Sequence, residues 1–341
     1  VARILNLPWL PPFSRRLLIT GPLAAGAMAA GFAAQALMAG QRGDPGADER
    51  LLAALVASPA PSSESSTATA GADPRPEEDL RGLQARRASG AASQRLDLVE
   101  PEAGSPVALE IRVALLTASS RPSLGGSGSW VLRSRDGRLL QSGGPGEAVN
   151  PWSQAAGLSE AWLEPSGGGV LLVDGTPYAG RLRLLLSGDG IQLVNHLPLE
   201  DYVASVVGAE MPSSWNLEAL RAQAVAARSY ALAHMARPAN RHWHLGNTTR
   251  WQAYKGLSSL TARTREAARS TAGLILSYQG GIVESLYAST AQISLEAHGH
   301  LGASMSQHGA QDLAEQGLRY NQILGRYYQG ASLARLRAGA G

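Results

Sequence analysis

The chain of 341 residues carries 30 Lys+Arg against 27 Asp+Glu, a formal charge of +3, and no cysteine. The missing thiol excludes a disulfide framework, a cysteine nucleophile and cysteine-ligated zinc, while leaving the compartment open. Acidic and basic residues are interleaved with few aromatics among them, which argues against nucleic acid as a partner.

Arg3, Arg15 and Arg16 precede an uncharged run, Leu17 to Gly40. A basic flank, an apolar stretch and small residues around Ala34-Gln35-Ala36 or Met38-Ala39-Gly40 make residues 1–40 a signal peptide or a membrane anchor. The arginines on its N-terminal side place the rest of the chain outside the cytoplasm, in the periplasm or cell wall, tethered to the inner membrane if the segment is retained. Residues 41–105 are rich in Ala, Ser, Pro, Gly, Glu and Arg, bury no core, and read as a disordered linker.

A domain spans 106–335, and its first half reads as strands and hairpins. Val107 to Leu116 is a strand, Ser119 to Ser129 a Gly/Ser loop, Trp130 to Arg133 a strand, and Arg135 to Arg138 a hairpin turn. An irregular loop, Gln141 to Gly169, leads to Val170–Val173, a turn at Asp174-Gly175, Gly180–Leu186, a turn at Ser187 to Gly190, and Ile191–Asn195. The glycines lack the spacing of a dinucleotide or phosphate loop, so no cofactor is expected.

The second half mixes helices and strands. Val203 to Val207 reads as a strand-like apolar run. After a turn at Pro212-Ser213-Ser214, Leu217, Leu220, Ala224 and Ala227 recur at helical spacing in a helix to about Met235, capped by Ser214 or Asn216. A polar, aromatic-bearing loop is followed by a helix from Thr261 to Ser270, then a strand from Leu274 to Tyr278 with a hairpin partner, Ile282 to Tyr287. Ser306 to Glu315 is a helix ending at Gly317, and Tyr320 to Tyr328 a short closing one. The fold class is therefore α+β, a β-rich N-terminal half followed by a mixed helix/strand catalytic half. Glu210 lies between the apolar run and the helix start; it is either a solvated or capping carboxylate, or a general acid whose pKa apolar neighbours raise.

The segment LPLEDYVASVVGAEMPSSWNLEALRAQAVAARSYAL, from Leu197 to Leu232, resembles the stage II sporulation protein D / LytB family of peptidoglycan-acting proteins, which includes amidase enhancers and lytic transglycosylases. Weaker resemblances are TTRWQAYKG at 248–256, TAGLILSYQGGIVESLYAST at 271–290 and MSQHGAQDLAEQGLRYNQILGRYYQG at 305–330. By this resemblance Glu210 is the catalytic acid/base of a peptidoglycan lytic transglycosylase, and the substrate is a glycan strand stripped of stem peptides. One Glu suffices for that chemistry, because the nucleophile is the substrate's own C6 hydroxyl. Hydrolysis would need a second carboxylate, for which Glu200, Asp201, Glu218 and Glu284 are available.

The same resemblance makes Gln223, Arg228, Gln252, Tyr254, Lys255, Ser306 and Gln307 the substrate-binding candidates. Gln223 and Arg228 orient Glu210 or a sugar hydroxyl, or else hold the helix to the sheet. Gln252, Tyr254 and Lys255 line a glycan groove, or are plain loop surface. Ser306 belongs to this set or is simply the N-cap of its helix. The chain departs from the family pattern at Tyr287-Ala288-Ser289-Thr290-Ala291-Gln292 and is short between 288 and 304, where one wall of the groove would stand. His298, His300 and His308 have no carboxylate or cysteine at ligand spacing, so no metal is expected. The shortened region keeps open a non-catalytic alternative: a glycan-binding or amidase-enhancing protein with a cell-wall amidase as partner.

Overall fold

The computed structural model describes residues 97–105, 107–188, 190–290 and 304–337; the leader segment, most of the linker, His298 and His300 lie outside the described residues. In chain order come β1 (Glu110–Ala114), β2 (Leu124–Gly126), β3 (Trp130–Ser134), β4 (Leu139–Gly143), a one-turn helix α1 (Pro151–Gln154) and β5 (Glu160–Pro165). They are followed by β6 (Leu171–Val173), β7 (Thr176–Tyr178), β8 (Arg181–Ser187) and β9 (Gly190–Pro198). The second half holds α2 (Leu199–Glu210), α3 (Leu217–Ala236), β10 (Leu245–Gly246), a 3-10 turn (Gly256–Ser259), α4 (Ala262–Ser270) and β11 (Leu274–Tyr278). Then come β12 (Gly281–Ile282), β13 (Leu286–Ala288), β14 (Ser304–Ser306), α5 (Gln307–Glu315), α6 (Tyr320–Tyr327) and β15 (Ser332–Arg335). The fold is α+β, with a strand-rich N-terminal region ahead of a mixed one.

The first half is organised by a seven-stranded sheet of order β10-β1-β9-β8-β5-β3-β4, antiparallel except where β10 joins β1. Period-two alternation sets its faces: Leu182 and Leu184 of β8 and Ala161 and Leu163 of β5 point into the core, while Arg181, Arg183 and Trp162 point out. A small sheet, β2-β6-β7, accompanies it. In the second half α3 is the hub, packed against α2, α4, α5, α6 and β11. Its alanines let neighbours approach closely, and fifteen of its twenty residues are buried.

Three expectations are corrected, and one strand is added. The apolar run Val203–Val207 is the middle of α2, not a strand. Tyr202 through Val207 are all buried because α3, α4 and the 3-10 turn cover the helix on several sides, and a helix buried all round shows no apolar stripe to read. The irregular loop 141–169 contains β5, which lies between β3 and β8 in the large sheet; its outward Glu160, Trp162 and Glu164 masked the strand pattern. The hairpin partner of β11 shrinks to Gly281–Ile282, and Leu286–Ala288 pairs in parallel with β14 instead. The other neighbour of β11 is β15, which the sequence reading had not marked.

Residues 97–105, assigned to the linker by composition, touch the domain. Asn321 Nδ2 donates to the Leu98 carbonyl at 3.0 Å and Arg335 Nε to that of Glu102 at 3.0 Å. Among the described residues no helix is long and apolar enough to cross a membrane.

Candidate active site

Glu210 is the last residue of α2, and Met211 takes an extended conformation that ends the helix. Gly208, two residues earlier, lets α2 lie against the 3-10 turn: a Cβ there would overlap the Ser259 carbonyl. Ser259 Oγ also donates to the Ser205 carbonyl at 2.8 Å, fixing the helix end that carries Glu210. A carboxylate at a helix C-terminus faces the negative end of the backbone dipole, which favours its neutral form.

The residue keeps partial contact with solvent, but its carboxyl is enclosed by protein. Burial pushes its pKa from 4.5 up to about 7, against three opposing influences: the Ala253 N–H, the Gln307 amide and the Lys255 ammonium. The Ala253 N–H donates to Glu210 Oε1 at 2.7 Å. Gln307 is buried, and its amide stands beside Glu210, where it favours the carboxylate. The site thus holds an acid that titrates near neutrality, with one fixed N–H and one amide facing it.

The residues on either side pin Ala253. Gln252 is fully buried; its Oε1 accepts from Tyr202 Oη at 2.9 Å, and its Nε2 donates to the Ala227 carbonyl at 3.1 Å and to Tyr287 Oη at 2.9 Å. Tyr254 Oη donates to Asn195 Oδ1 at 2.7 Å, and its ring packs on Tyr178 and Tyr202. Gln252 and Tyr254 therefore do not line a surface groove as the sequence suggested. In this extended stretch alternate side chains turn inward, and these two are spent on the interior. Lys255 is exposed, close enough to Glu210 to favour its carboxylate.

Arg228 is also interior. It makes a two-pronged pair with Glu200, Nε–Oε1 at 2.9 Å and Nη2–Oε2 at 2.6 Å, and donates to the carbonyls of Leu274 and Ala268 at 3.0 and 3.1 Å. That geometry clamps α3 to α2, α4 and β11, the second of the two roles open to it. Gln223 on α3 is fully buried, and neither end of its amide has a partner among the described residues. Ser306 caps α5 by accepting from the Gly309 N–H at 3.1 Å.

Among the described residues no second carboxylate is gathered at Glu210. Glu200 is bound by Arg228, Glu218 by Arg221 at 2.5 Å and Glu284 by Arg237 at 3.3 Å. Asp201 is in the first turn of α2, about 14 Å along the helix from Glu210 at 1.5 Å per residue. Among the described residues no three metal-ligating side chains come together. Sequence reasoning missed the Ala253 N–H, since a backbone donor leaves no residue-type signature. It also missed the Tyr202–Gln252–Tyr287 chain, whose members are far apart in sequence.

Residues 187–278, which run from β8 to β11 and include Glu210 and its pinned donor, match the family model described as Stage II sporulation protein. An uncharacterized protein of Brachyspira hyodysenteriae is 36% identical over 116 residues, 34% of this chain and 32% of that protein. The "Amidase enhancer" of Bacillus subtilis is 38% identical over 85 residues, 25% of this chain and 11% of the relative. The "Stage II sporulation protein D" of the same organism is 34% identical over 114 residues, 29% of this chain and 33% of the relative. The chain spans about a third or less of the length of these curated relatives.

Proposed function

We propose that this chain belongs to the SpoIID/LytB-like family and is an exported cell-wall protein that cleaves peptidoglycan glycan strands as a lytic transglycosylase, with Glu210 as its one acid/base. The observation that carries the reading is the enclosed carboxyl of Glu210, which titrates near 7 beside a fixed backbone donor. An acid with that pKa is well populated in both forms near neutral pH, as a group that must give and then take a proton requires.

The steps balance on one carboxyl. Neutral Glu210 gives its proton to the glycosidic oxygen as the bond from the muramic C1 to that oxygen breaks. The resulting carboxylate takes the proton of the muramic C6 hydroxyl while that oxygen bonds to C1. A 1,6-anhydro ring forms, no water is consumed, and Glu210 is neutral again. The Ala253 N–H stabilises the carboxylate between the two transfers. Lys255, near the same carboxyl, suits the carboxylate of a muramic residue.

Mass spectrometry of products from peptide-free glycan tests the reading. The wild-type chain releases 1,6-anhydro ends, and Glu210→Gln binds glycan but releases ~10²- to 10⁴-fold less. Reducing muramic ends would transfer the assignment to hydrolysis. A second reading, amidase enhancement without cleavage, is favoured by the match to the Bacillus subtilis amidase enhancer. It predicts that Glu210→Gln stimulates a cell-wall amidase as well as the wild type does while neither releases glycan fragments.

A further inference from the structure

The outward face of the large sheet carries two adjoining clefts of about 530 and 470 Å³, neither of which includes Glu210. Leu199 lines the first, and Glu210 ends the helix that Leu199 begins, about 16 Å away at 1.5 Å per residue. Arg181, Glu164 and His196 border both clefts. Ion pairs alone are ordinary on such a face: Arg183 with Glu160 at 2.5 Å, and Arg181 with Glu110 at 3.3 Å and Glu164 at 3.6 Å.

Three features go beyond a solvated sheet face. The first is His196, 5% exposed, whose Nδ1 is 2.8 Å from Glu110 Oε1 and whose Nε2 is buried with no partner among the described residues. Burial lowers the pKa of the imidazole, although Glu110 opposes this. In the tautomer that donates from Nδ1 to Glu110, Nε2 is a bare lone pair that calls for an O–H or N–H donor. The second is Arg183 Nε, a buried donor likewise without an acceptor among the described residues. The third is an excess of cation around a half-buried indole. Arg133, Arg135, Arg181 and Arg183 stand about Trp162 in the second cleft against Glu160, Glu164 and, on Arg181, Glu110; Arg133 pairs with Glu164 at 3.9 Å, which leaves an excess of one cation.

Arg181 lies 4.6 Å over the Trp162 ring, and His196 meets the same ring edge-on at 4.8 Å. Arg181 is 43% exposed and held by water-screened pairs, so a ligand displaces it at small cost. The unsatisfied groups ask for different chemistry at close quarters: a hydroxyl donor, a hydroxyl acceptor, an apolar ring face and an anion. We infer that the paired clefts are a second binding site, for a carboxylate-bearing sugar segment of a glycan strand. Neighbouring hydroxyls serve His196 Nε2 and Arg183 Nε, a pyranose face packs on Trp162, and the carboxylate meets Arg133 and Arg135. A neutral sugar leaves the cation excess unanswered. A peptide carboxylate alone answers the arginines but brings no array of hydroxyls. The source of the sugar rests on the proposed cell-wall reading; the chemistry of the clefts does not.

The test uses the full chain carrying Glu210→Gln, so that the probe is not consumed. The probe is a peptide-free tetrasaccharide of alternating N-acetylglucosamine and N-acetylmuramic acid, with chitotetraose and free stem peptide as comparators. The readout is the indole N–H resonance of Trp162, assigned by its disappearance in Trp162→Phe. The muramic probe should shift this resonance in a saturable way, with chitotetraose at least about tenfold weaker. Arg133→Ser/Arg135→Ser should raise Kd about tenfold, the scale of one lost charge-assisted hydrogen bond. A resonance that does not move, equal affinity for the two sugars, a Kd unchanged in the arginine variant, or an equal response to stem peptide would each overturn the inference. Failure here is distinguishable from failure at Glu210, which is read separately as release of 1,6-anhydro products by the wild type.

Discussion

Replacing Glu210 by Gln should stabilise the protein, and by an amount that depends on pH in a defined way. The unfolded carboxyl titrates at 4.5 and the folded one at about 7, so between those values the folded state holds a proton that the unfolded state has lost. Stability contributed by the neutral acid is whole below pH 4.5 and is lost as pH rises toward 7. At 1.36 kcal/mol per unit, the full loss above pH 7 is about 3 kcal/mol. Gln mimics the neutral acid, keeps an acceptor for the Ala253 N–H, and does not titrate. Urea unfolding should therefore find the two proteins equal near pH 4 and the variant more stable by up to about 3 kcal/mol at pH 9. A difference that stays constant with pH would refute the buried-acid reasoning, because only a shifted titration gives that slope.

Gln252→Met removes the pin beside Ala253 while keeping volume; it leaves buried groups on Tyr202, Tyr287 and Ala227 unmatched, at about 1–3 kcal/mol each. Because the Ala253 N–H favours the carboxylate, loosening it should raise the Glu210 pKa and move the alkaline limb of the activity profile upward; lost stability with an unmoved limb would make Gln252 merely structural. Arg228→Met should cost about 3 kcal/mol in urea unfolding, the low end for a broken buried pair since Glu200 is 37% exposed. Adding Glu200→Gln should recover part of that loss, and no recovery would mean that the orphaned carbonyls of Leu274 and Ala268 dominate. A reporter fused after Gly104 should be active outside the cytoplasm, and activity confined to the cytoplasm would refute the export reading.

What the sequence disclosed and what it hid follow from how local each feature is. Helix α3 was legible because its cap, spacing and stop all lie within one stretch: Asn216 accepts from the Glu218 N–H, and apolar residues recur along the helix that follows. Strand β11 was equally plain, bounded by Gly273 with φ of 72° and by the turn at Gln279-Gly280. Helix α2 was not, since its burial is imposed by α3, α4 and the 3-10 turn, all outside its own stretch, and an apolar run covered on every side has no period to betray it. The site divides the same way. Glu210 stood out beside a turn and a helix start, where a lone carboxylate is conspicuous. Gln252 and Tyr254 were placed one layer too far out, because residue type does not tell a groove-lining amide or phenol from one spent on the interior. The distinction lies in Tyr202, Asn195, Ala227 and Tyr287, each at least 25 positions away. Those distant partners fix the 252–254 backbone, and that backbone sets the charge balance at Glu210. The carboxyl is therefore one that the sequence exposes, and its pKa is tuned by contacts that only the fold brings together.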